Sequence, residues 1–126
     1  MGQLGIRSVE KYAESESLRS ALADQLKEYD RIETKAHEIT SQRGWKVREL
    51  NPALRKSAEI MTRSRLRGKN KDAKIAGMMV RGNTQGVIKG LQNLHRFSNQ
   101  DDKVLMLAQQ LIDCEKDNIR QMENFL

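Results

Sequence analysis

Glycine recurs at Gly82, Gly86 and Gly90, four residues apart, inside a stretch over 75–94 that otherwise reads as helix. A glycine within a helix costs roughly 0.5–1 kcal/mol against alanine, because its unfolded state is freer and it has no side chain to pack. Three on one face need an offsetting gain, most simply a very close approach by another backbone. The stripe therefore points to helix-on-helix packing, and says nothing about a reaction.

The 126 residues suffice for one domain with a modest core, and 1–126 reads as a single helical domain. One proline, no sustained alternating β-branched pattern and abundant Ala, Leu, Gln, Lys, Arg and Glu favour helices. With five aromatic residues, aliphatic and methionine side chains must fill most of the core. Cys114 is the one cysteine, so no intramolecular disulfide forms, which fits a reducing cytoplasm. The first residues lack an apolar run followed by a small-residue cleavage site, so no signal peptide is expected. Arg81 and Lys89 within the glycine stripe argue against a membrane-spanning helix.

Helical spacing then divides the chain. Residues 4–14 predict a short lead-in helix with Leu4, Ile6, Val9 and Tyr12 as apolar contacts, and Ser15 and Ser17 mark a break or cap. A long helix over 17–43 carries Leu18, Ala21, Leu22, Tyr29, Ile32, Ala36 and Ile39 on one stripe, and Gly44 caps its end. A connection with Trp45 and Val47 leads to Asn51-Pro52, which starts a thinner helix over 52–67 with Leu54, Ala58 and Met61. After a turn at 68–71, the third long segment covers 72–96. Its apolar face is Ile75, Ala76, Met79, Gly82, Asn83, Gly86, Val87, Gly90, Asn93, Leu94 and Phe97. A turn over 98–101 caps the last helix, which runs to the end with Val104, Ala108, Leu111, Glu115, Ile119, Met122 and Leu126 on one face. Four amphipathic helices with short connections predict an all-α, up-and-down four-helix bundle preceded by the lead-in helix.

Polar residues interrupt those faces: Gln25, Asn83, Asn93, Glu115 and Asn118. They predict a hydrogen-bonded network in the core that fixes register, with a small-ligand or metal site as the functional alternative. The metal version meets a difficulty. Carboxylate-bridged di-iron bundles need two Glu-x-x-His motifs, and the chain has none. Glu115 with Asn118, and Glu33 with His37, are the nearest forms, so Glu28, Glu33, His37 and Glu115 are weak candidates for a degenerate site and no cofactor is expected. His95 sits where a polar group satisfies free carbonyls at a helix end. Cys114 has no histidine beside it in sequence, and no phosphate-binding loop is present. No catalytic residue emerges, and a non-enzymatic role follows.

Charge is segregated. Residues 1–42 carry 6 basic and 8 acidic side chains, 43–74 carry 11 and 3, 75–98 carry 3 and 0, and 99–126 carry 3 and 6. The basic middle centres on Arg63, Arg65, Arg67, Lys69, Lys71 and Lys74, extended by Arg55 and Lys56. It is either a solvated surface facing acidic neighbours or a patch that binds nucleic acid or another polyanion. Trp45 is the one stacking aromatic near it in sequence.

The run Ile75-Ala76-Gly77-Met78-Met79-Val80-Arg81-Gly82-Asn83-Thr84-Gln85-Gly86-Val87-Ile88 resembles a signature of small uncharacterised bacterial helical-bundle proteins. So do Leu107-Ala108-Gln109-Gln110-Leu111-Ile112 with Glu115, Asn118, Ile119, Met122, Phe125 and Leu126, and Gln25, Glu28, Tyr29 and Ala36. The resemblance covers most of 18–126. It implies a distantly ferritin-like bundle and transfers no catalytic residue. The expectation is a cytoplasmic structural or interaction protein, homo-oligomeric because the thin second helix and scarce aromatics leave one chain short of cover.

Overall fold

A computed structural model describes residues 2–44, 52–96 and 101–126, apart from the side chains of 52–55, 57 and 58. All its regular elements are helices: α1 (Gly2–Val9), continued by a 3-10 turn (Glu10–Tyr12), α2 (Glu16–Gln42), α3 (Pro52–Arg65), α4 (Lys71–Arg96) and α5 (Asp102–Glu123). None of the described helices is long and apolar enough to cross a membrane.

Local chemistry sets the boundaries. Ser15 stands in extended backbone before α2, and its Oγ accepts the Leu18 N–H at 3.2 Å, satisfying one of the donors a helix start leaves free. Gly44, at φ +66°, ends α2 in the left-handed conformation that glycine adopts without a Cβ clash. Asp101 caps α5 through the Lys103 N–H at 2.8 Å. Between α3 and α4 the chain reverses through Gly68 at φ +94° and Asn70 at φ +60°, with Lys74 Nζ donating to the Arg67 carbonyl at 2.9 Å.

Contacts at opposite ends of the helices fix their directions. Arg43 after α2 pairs with Asp101 before α5, and Gln25 near the start of α2 meets Gln121 near the end of α5, so these two run antiparallel. Positions 86 and 90 of α4 face Glu115 and Ile112 of α5, so that pair is antiparallel too. The start of α4 lies against the start of α2, where Asp72 accepts the N–H groups of Glu14 at 2.7 Å and Ser15 at 3.0 Å. Those two N–H bonds, opposed by partial burial, hold the Asp72 carboxyl below its ordinary range.

The predicted lead-in helix turns out to be a central packing element. α1 touches α2, α3 and α4, whereas the principal neighbour of α3 is α1. α1 is therefore the rod lying between α2 and α4, opposite α5. Its Ile6 and Val9 are buried with Leu18, Leu22, Ile75, Ala76, Met79 and Met122. α1 has 8 residues against 27 in α2 and 26 in α4, so it spans only about 12 Å of rods about 40 Å long.

Burial follows the length of α1. On α2 the last buried residue is Ile32, on α4 it is Asn83, and on α5 the first is Ile112. Beyond that level no described side chain of the three helices is buried. Ala36 and Ile39, expected in the core, are half-exposed, as are Val87, Leu94, Val104, Ala108 and Leu111. On α5 the buried face is Ile112, Cys114, Asn118 and Met122, turned from the expected one, and Leu126 is exposed. Trp45, Val47, Asn51 and Phe97 lie outside the described residues, as do the side chains of Leu54 and Ala58.

Candidate functional site: a glycine-floored groove at Glu115

The glycine stripe does not serve one purpose. A β-carbon at Gly86 would run into the Glu115 carboxylate, and one at Gly90 would stand 2.7 Å from Ile112 Cγ1, so both positions admit side chains of α5 and not the backbone approach expected. The close neighbour is side chain at both positions. At Gly82 a β-carbon would meet nothing within 4 Å. The expectation of tight packing at Gly82 is thus corrected: the space over it is open.

That space is a groove of about 650 Å³. Its walls come from every helix: Gly2, Gly5, Ser8 and Val9 of α1, Tyr29 of α2, Thr62 of α3, Met78 to Gln92 along α4, and Glu115 of α5. It opens beside Gly2, which lies against the Tyr29 ring at the start of α1. Apolar wall comes from Val9, Met78, Met79 and Ile88; Lys89 and Glu115 are its ionisable lining side chains besides Tyr29.

A hydrogen-bonded layer underlies the groove. Tyr29 donates its hydroxyl to Asn83 Oδ1 at 2.7 Å, and Asn83 Nδ2 donates to the Met79 carbonyl at 2.8 Å. Burial, then the nearby Glu115 charge, pushes the Tyr29 hydroxyl well above the ordinary phenol range. Gln25, 3% exposed, donates to Gln121 Oε1 at 2.7 Å, while its own Oε1 has no partner. Asn118 is buried with its amide 3.8 Å from Cys114 Sγ. Of the residues expected in a core network, Gln25, Asn83 and Asn118 are buried, each bonded to a different partner and none to another of the three. Asn93 is exposed on α4 beyond the covered level, which corrects its placement in the core. Tyr29, the hydroxyl that organises this layer, reads in the sequence as one more apolar stripe residue.

Glu115 is the exception in the layer. It is partly buried, and its Oε2 is shut off from solvent with no hydrogen-bond partner. Burial raises its carboxyl above the ordinary range. Glu28 pairs with Arg31 at 3.1 Å, and Glu33 lies 3.4 Å from His37 on exposed helix surface beside Gln3. No described hydrogen bond or ion pair joins Glu28, Glu33 or His37 to Glu115. Among the described residues no three His, Cys, Asp or Glu side chains stand where they would share a metal ion.

Cys114 is buried, and burial, with the Glu28 charge next, pushes its thiol up to about 11. It stays protonated at neutral pH, which is the wrong state for a nucleophile. His95 is exposed in the last turn of α4. Arg63, Arg65, Arg67, Lys69 and Lys74 are exposed and Lys71 half-exposed, with none of the six in a described ion pair. Compared with protein-family models, curated proteins and solved structures, the chain finds no match.

Proposed function

We propose that the chain is a non-enzymatic structural or interaction protein that works as a homo-oligomer, a second copy covering the open end of the bundle. The observation that supports this is the level at which burial stops. Above Ile32, Asn83 and Ile112 the helices continue with Ile39, Val87, Leu91, Leu94, Val104, Leu107 and Leu111, and none of these is buried. Leu91 is 39% exposed and Met106 68%. Stripes at helical spacing carry apolar residues to bury them, and two copies related by a two-fold axis bury equivalent stripes on each other. In this reading α2 to α5 keep an up-and-down order, α1 filling the covered half and the second copy the open half.

Light scattering after size-exclusion tests it. The expected mass is a multiple of 14.5 kDa, and Leu91→Glu combined with Met106→Glu returns the monomer with its helicity intact. A 14.5 kDa species from the parent chain at high protein concentration overturns the reading.

A further inference from the structure

We infer that the groove over Gly82 binds a small ammonium compound with an apolar body, its cationic group on Glu115 and its body against Met78, Met79, Val9 and Ile88. Three independent features converge on this. The cavity, about 650 Å³, lies in the range of small-molecule sites and has mainly apolar walls with few polar groups. At its base Glu115 Oε2 is closed to water and receives no hydrogen bond. A buried carboxylate oxygen in that condition costs free energy until a donor reaches it, and a cationic donor compensates it most fully. The carboxylate turns about a soft terminal torsion, so an ammonium in the groove meets either oxygen.

Gly82 is the third feature. Its glycine carries the helix penalty yet admits no protein neighbour, since a β-carbon there enters open groove. Gly86 beside it, lacking a β-carbon, lets the Glu115 carboxylate lie against α4. Lys89, the other charged lining residue, is exposed and stands at the mouth. The chain's own N-terminal ammonium also acts on Glu115, so an added ammonium competes with it there. The apolar wall favours a cation with a short hydrocarbon body over a simple anion or an inorganic cation.

The test uses n-hexylammonium and 1-hexanol, alike in apolar body and different in charge, titrated calorimetrically into the whole protein at pH 8. Hexylammonium is expected to bind about tenfold tighter than hexanol, the scale of one charge-assisted hydrogen bond. Glu115→Gln is expected to erase that preference while hexanol binding persists. Gly82→Leu, whose β-carbon stands in open space and sends the side chain into the groove, is expected to abolish binding of both at unchanged helicity and oligomer mass. Equal affinity for the two compounds overturns the charge assignment. Binding of neither, or full binding to Gly82→Leu, overturns the groove as a site. A Gly82→Leu chain that changes oligomer mass assigns the groove to a second copy and overturns it as well.

Discussion

The two halves of the bundle are built from the same three helices with the same spacing of apolar residues, and only one half has a core. Around α1, Leu18, Leu22, Ile75 and Met122 are fully enclosed. Past Gly2 the rods run on with Ile39, Leu91, Leu94 and Leu107 at least partly in solvent. Among the described residues the difference lies in α1, a fourth rod that lies against one half only. Amphipathicity thus creates a demand for cover that a short helix meets over its own length only.

The largest expected contrast comes from truncating one leucine in each half. Leu22→Ala is expected to cost about 2–5 kcal/mol, by lost transfer energy and the cavity left, whereas Leu91→Ala costs under about 0.5 kcal/mol in conditions that hold the chain monomeric. Urea denaturation of both variants checks this, and equal losses would erase the distinction between halves. Next in size, Gly86→Val forces a branched side chain into the Glu115 carboxylate and is expected to cost about 1–3 kcal/mol. Ser15→Ala, in the covered half, removes the α2 cap and is expected to lower stability by about 1 kcal/mol. Gly82→Ala runs the other way. With open space around the new methyl, a gain of about 0.5–1 kcal/mol is expected, read as a higher melting temperature.

The smallest effect is a pH slope at the boundary between halves. Because burial raises the Glu115 carboxyl in the folded chain, the native state holds its proton more tightly than the unfolded state. Its contribution is greatest below the ordinary carboxylate value of 4.5 and declines as pH rises through the raised folded value. Asp72 has the opposite sign: its lowered carboxyl stabilises above its ordinary 3.8 and loses that contribution as pH falls. Urea midpoints from pH 4 to 8 are expected to drift downward in the parent and to flatten in Glu115→Gln. A parent drift that survives the substitution places the titrating group elsewhere.

What could be read from sequence was what neighbours in the chain decide. The ranges 17–43 and 72–96 lie within a residue of α2 and α4, because periodicity and the caps at Ser15, Gly44 and Asp101 act over one or two turns. The candidate groove was half legible. Glu115 and the glycine stripe stood out as anomalies on apolar faces. Tyr29 and Met79 did not, since an aromatic or a methionine on a stripe looks the same whether it meets core or cavity.

The sequence by itself determined an all-helical chain, where its long helices start and stop, and which side of α2 is apolar, since these follow from backbone propensity and spacing along one rod. The tertiary structure alone decided that α1 takes the place between α2 and α4, that Asn93 faces water while Asn83 bonds Tyr29, and that three like glycines have different surroundings. Burial belongs to pairs of surfaces, and the tilt and length of the opposing rod are not written in the spacing of either one.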